Sequence, residues 1–191
     1  MSDILKPQQG VLFMKVGIHA QEDLEAIIAR KTKEIEEAGF ALWGYGGNTC
    51  HPSKMVQPFA RKHLANGQKI FLCMQEMTSN HFAEPIRAEQ FSVDGHIWKP
   101  VPPQINVLGS RFALAIRALH REEFVLPLTK TRVAVGNSAG RVGSQYVKGR
   151  VDKACLELTD QAIIPAEPQE EAVQINLVAE LCDPYAVFLK N

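Results

Sequence analysis

The sequence lacks any long apolar run. No stretch approaches the roughly 20 residues needed to cross a bilayer as a helix. The first ten residues hold no basic segment followed by an apolar run, so no secretory signal is expected. These two absences predict a cytoplasmic chain with no membrane partner. Cysteine is sparse as well: Cys50, Cys73, Cys155 and Cys182 form no close pair in sequence. Small secreted domains held by disulfides carry cysteine more densely in shorter chains, so these four are expected to be reduced and mostly buried.

Excess charge of either sign is also missing. Lys and Arg number 21 and Asp and Glu 21, for a formal net charge of zero. Bulk electrostatic binding to nucleic acid is therefore not expected. The six histidines form no H-E-x-x-H, and no C-x-x-C pair exists, so no metal or cofactor is expected. A phosphate-binding loop ending in G-K-S/T is absent too.

What remains is an ordinary globular composition. Apolar residues make up 46% and charged residues 22% of 191, enough apolar content for one sizeable core and too much for a disordered chain. Residues 11–18 (VLFMKVGI) read as a strand, being short, apolar and partly β-branched. Residues 21–38 read as a helix. Leu24, Ile27, Ile28 and Ile35 share one face, which Lys31 interrupts, and Gly39 stands where a left-handed cap is wanted. A second strand at 40–45, a short helix from Pro58 to about Leu64 and a third strand at 69–77 follow.

Beyond Thr78 turn residues recur, with Asp94-Gly95 as a hairpin signal. Strands are expected within 124–135 and 147–158. A Pro- and Glu-rich stretch at 165–171 leads to a last apolar segment at 173–181. The expectation is one α+β domain spanning 1–191, with one long and one short helix on a curved, mostly antiparallel sheet. Residues 165–191 would be an acidic segment packed on that domain or extending it.

Charge is unevenly distributed. Residues 111–153 hold nine basic against three acidic residues, a surplus of six. Residues 154–191 hold seven acidic against one basic, a deficit of six. Compensation within the chain accounts for both. So does a local positive site suited to a small anion.

Two glycine-rich loops are candidates for that site. The first runs Gly44-Tyr45-Gly46-Gly47-Asn48-Thr49-Cys50-His51. Its glycines let a ligand approach the main chain, and Tyr45 can stack on a planar group. The second runs from Gly136 to Ser144. Small residues such as Ser138, Gly140 and Ser144 leave N–H groups uncovered, while Arg141, Lys148 and Arg150 supply charge. The string Gly136-Asn137-Ser138-Ala139-Gly140 fits a nucleophile elbow, but its flanks read as strands rather than as strand and helix.

The function expected is a binding or sensing domain for a small anion, above all a nucleotide or nucleotide-derived molecule, held between the two loops. A hydrolase or transferase is the alternative, with Cys50, His51 or Glu76 doing chemistry and His81 near Glu76 as a further acid or base. A third reading is an interaction module using the acidic C-terminal segment. The sequence is compatible with a homo-oligomer.

Overall fold

The structure is a computed structural model. It describes residues 4–47, 49–148, 151–164 and 169–191, with the backbone alone at residues 79–81. Asn48, Arg150 and the side chain of His81 therefore lie outside the described residues. Within them the chain is α+β, with three helices and a large, mostly antiparallel sheet.

Strand β1 (Gly10–His19) opens the fold. Its apolar run is buried on both faces. Leu12 and Val16 enter one core cluster, while Val11 and Phe13 enter another. Alternating side chains of a strand point to opposite faces, so an unbroken apolar run marks a strand covered on both sides. Helix α1 (Leu24–Ala38) follows, and Asp23 caps it by accepting from Ala26 N at 2.8 Å. The expected start at Gln21 is too early. His19 and Glu22 exchange backbone hydrogen bonds, closing a turn with Ala20 and Gln21 at positive φ. Gly39 caps the other end, its N–H returning to the Ile35 carbonyl.

Strand β2 (Ala41–Tyr45) leads through a π-helical turn (Pro52–Val56) into α2 (Gln57–Ala65). Strand β3 (Phe71–His81) then runs parallel to β1. The short strands β4 (Gln90–Ser92) and β5 (Lys99–Pro100) pair around Asp94-Gly95 as the hairpin signal predicts. The long β6 (Phe112–Pro127) gives way to a 3-10 turn (Leu128–Lys130) and β7 (Thr131–Val133). A four-residue helix α3 (Gly143–Tyr146) stands before β8 (Lys153–Leu158), so that strand is shorter than the stretch expected at 147–158.

Strand β9 (Ala172–Lys190) is the longest, at 19 residues. It continues well past Leu181, where Pro184 would normally end a central strand. The ladder with β6 absorbs the proline in an irregularity: Leu114 pairs with Ala186, and Ile116 already pairs with Leu181. The acidic C-terminal segment thus holds a strand within the sheet, paired with β6, β3 and β4.

The strand order is β2-β6-β9-β3-β1-β8-β7. Removing the helix cap tests how far α1 depends on local signals. Asp23→Ala should lower stability by about 1 kcal/mol and Tm by roughly 2–4 °C, as read by thermal unfolding. An unchanged Tm would show that tertiary packing alone sets the helix start.

Candidate functional site

Strands β1 and β2 are joined by α1, yet β6, β9 and β3 lie between them in the sheet. Four inter-strand steps in a flat sheet would set them about 19 Å apart. Instead, Leu12 and Tyr45 line one small void, and Val16, Trp43 and Tyr45 share a core cluster. The sheet therefore wraps, and α1 spans the gap between β1 and β2. Three register shifts along β6 and β9 assist, because bulges bend a strand and raise its twist.

At the open side of this wrap lies a cavity of about 720 Å³. The C-terminal half of β1, the start of β8, the end of β2, one face of α1 and the segment 107–111 form its walls. Among the described residues, five cationic side chains line it: Lys15, Arg30, Lys31, Arg111 and Lys153. Asp152 is the one carboxylate among the described lining residues. Much of the remaining wall is apolar, including Ile27, Trp43, Val107 and Leu108.

Two of the cations belong to a buried network. Lys31 and Glu34 are both 2% exposed, on the core-facing stripe of α1 with Leu24 and Ile27. Lys31 Nζ reaches Glu34 at 2.9 Å and donates to the Asn106 carbonyl at 2.6 Å. Arg30 donates to the same carbonyl and pairs with Glu34 at 3.2 Å and Glu22 at 2.5 Å. Asn106 N returns a hydrogen bond to Glu34 at 2.9 Å, and Arg87 holds the Asn106 side chain at 2.9 Å. These bonds fasten the segment leading into 107–111 against α1. His19 Nε2 adds a bond to the Leu108 carbonyl at 3.0 Å.

Lys153 lies at the start of β8, with its side chain 13% exposed and paired with Asp152 at 3.2 Å. It stands opposite Met14 in the β1–β8 ladder, and both residues line the cavity. Arg111 stands over the Phe112 ring, 5.5 Å from its centroid.

The first glycine-rich loop borders this cavity through Tyr45, Gly46 and Gly47. Tyr45 is buried, and its hydroxyl donates to the Cys50 carbonyl, which ties the loop to the strand it leaves. Its ring leans on Phe112 with centroids 5.6 Å apart. Gly44 is required by close approach: a Cβ there would stand 2.3 Å from Ser110 Oγ. Gly47 has φ of 84°, which side chains disfavour. At Gly46 a Cβ would meet nothing within 4 Å.

The second glycine-rich loop lies elsewhere. None of Ser138, Gly140, Arg141, Ser144 or Lys148 lines the cavity, so the two loops do not enclose it together. Three N–H groups of this loop are engaged within the chain: Gly140 N donates to the Val133 carbonyl at 2.8 Å, Ala139 N to Gly136 and Arg141 N to Ser138. The Ser144 hydroxyl is buried with no hydrogen-bond partner among the described residues, while Arg141 and Lys148 are exposed.

The residues considered for catalysis also sit apart from the lining. Cys50 is buried at 3% exposure beneath the loop. His51 packs its ring against Phe112 and Phe188, and its Nδ1 accepts from Lys54 N at the head of the π-helical turn. Partial burial and the Lys54 charge hold its imidazole below the usual histidine value. Glu76 is engaged by Arg121 at 2.9 Å. Among the described residues no three His, Cys, Asp or Glu side chains gather to hold a metal ion.

Sequence reasoning missed the cations that line the cavity, although two signals were present. Lys31 breaks an apolar stripe, and Arg111 and Lys153 bound the basic segment whose middle lies away from the cavity. No protein-family profile, curated protein or solved structure matches this chain.

Burial lowers the Lys31 ammonium from its ordinary 10.5 to about 8, with Glu34 opposing the shift. The unfolded chain then holds this proton more tightly than the folded one. The cost of burial is fully present below pH 8 and is relieved as pH rises toward 10.5. Wild type should therefore gain stability over that window relative to Lys31→Met, as read by urea unfolding. A difference that stays flat across it would contradict the buried-ammonium reading.

Proposed function

We propose that this protein binds or senses a small anionic ligand in the cavity between β1, β2 and α1. The ligand is a nucleotide or nucleotide-derived molecule. One observation carries the reading: five cationic side chains against one carboxylate line a recess in a chain whose net charge is zero. Glu22 and Glu34 partner Arg30 and Lys31, and Asp152 partners Lys153 at 3.2 Å.

Size and wall chemistry favour a nucleotide over a bare anion. Small-molecule sites run from about 300 to 1,000 Å³, and this cavity falls well inside that range. Its apolar wall, with Trp43, suits a planar base. Asp152 repels an inorganic anion but accepts hydrogen bonds from sugar hydroxyls. Gly46 leaves main chain open for close approach. Binding suffices for this arrangement, since Cys50, His51 and Glu76 do not line the cavity.

A thermal-shift screen with mono-, di- and cyclic nucleotides tests the reading. One of them should raise Tm, and added salt should weaken its binding. Lys153→Ala should cost about ten- to a hundred-fold in affinity, the loss of one charge-assisted hydrogen bond. Gly46→Val should block the cavity without harming the fold, and Arg141→Ala should bind as wild type. Failure of every nucleotide would sink the ligand class. Undiminished affinity in Lys153→Ala, or a loss confined to Arg141→Ala, would place the site elsewhere.

A further inference from the structure

Two thiols meet beneath the floor of the cavity. Cys155 Sγ lies 3.8 Å from Cys50 Sγ, although 105 positions separate them in sequence. Both side chains are buried in the same core cluster. Cys50 sits in the turn that continues from Gly47, and Cys155 lies in β8 opposite Leu12 of β1. Cys73 and Cys182 stand elsewhere: Cys73 packs in the second cluster and Cys182 against the third.

We propose that Cys50 and Cys155 form an oxidisable dithiol, and that a peroxide converts it into an intramolecular disulfide joining the first glycine-rich loop to β8. The sulfurs touch already. A bond near 2.05 Å requires them to close by about 1.8 Å, which the loop carrying Cys50 supplies more readily than a strand in the ladder.

The order of events follows from position. Cys50 lines a small void of about 10 Å³ beside Met14, Tyr45 and Lys153, a space that holds about one water-sized molecule. Cys155 does not line it. Contact with Cys50 and complete burial raise the Cys155 thiol above its ordinary value, and the void opens onto Cys50, so Cys50 meets the peroxide first.

Cys50 sulfur attacks one oxygen of hydrogen peroxide and the O–O bond breaks. Cys50 becomes a sulfenic acid, and the departing hydroxide takes the thiol proton to leave as water. Cys155 sulfur then attacks the sulfenic sulfur. The S–O bond breaks, the S–S bond forms, and hydroxide leaves with the Cys155 proton as a second water. Two thiols are oxidised to one disulfide and one peroxide is reduced to two waters.

The product would fix two walls of one cavity to each other. Gly46 and Gly47 lie just before Cys50, and Asp152 and Lys153 just before Cys155. The dithiol stands on its own geometry and holds whether or not the cavity takes a nucleotide.

The test treats the folded, reduced protein with a modest excess of hydrogen peroxide and then alkylates remaining thiols. After alkylation in denaturant, intact mass should show two alkyl groups, on Cys73 and Cys182, together with the loss of two hydrogens. Peptide mapping should recover a Cys50–Cys155 cross-link that dithiothreitol removes. Tm should rise by roughly 5–10 °C, since the bond closes a long loop. Cys155→Ser, checked for folding by circular dichroism, should show neither the cross-link nor the Tm rise. Four alkylated cysteines after native oxidation, a cross-link through Cys73 or Cys182, or a Cys50–Cys155 bond that forms only in urea would each overturn the proposal.

Discussion

The Lys31–Glu34 pair is the constraint on which the cavity depends. Both residues occupy positions on α1 that periodicity reserves for the core, and both are almost fully buried. A charge in that environment is costly unless it is paired and its remaining hydrogen-bond capacity is filled. The chain fills it with the backbone of Asn106, whose N–H and carbonyl are both used. An apolar pair of equal volume would pack as well or better, but it would not specify where Asn106 must sit. The ion pair thus exchanges some stability for a defined position of the segment 107–111, the wall facing α1.

Arg30, Arg87 and His19 reinforce the same segment from three directions. Each bond reaches a backbone atom or the Asn106 side chain, so the wall is set by main-chain position and tolerates variation in its own apolar side chains. Close packing of Ser110 against Gly44 completes the seam between this wall and β2. A recess bounded in this way is built before any ligand arrives, and preorganisation of that kind lowers the entropy lost on binding.

Sequence patterns made the N-terminal half legible and left the cavity obscure. β1, α1, β2, α2 and β3 declare themselves because each has one period and clear end signals: an apolar run in β1, the face of Leu24, Ile27, Ile28 and Ile35 in α1, Pro58 near the start of α2. The hairpin around Asp94-Gly95 is equally local. The later elements depend on long-range pairing. β6 and β9 are each long, irregular strands whose register shifts answer only to one another, so Pro184 looks like an end when it is a bulge. The first glycine-rich loop was visible because glycine is a local signal. Lys15, Lys153 and Arg111 were not, because no spacing in sequence records that β1 and β8 come together with β2. The second loop looked like an anion cradle by composition, and no sequence signal shows that it stands away from the cavity.

The position of β9 bears on how the chain reaches this shape. It is the last strand in chain order and lies near the middle of the sheet, with β6 on one side and β3 on the other. Without it, β2-β6 and β3-β1-β8-β7 share no strand pairing, so the last strand joins the two halves through contacts of large sequence separation. Such a topology folds slowly and exposes strand edges while it waits.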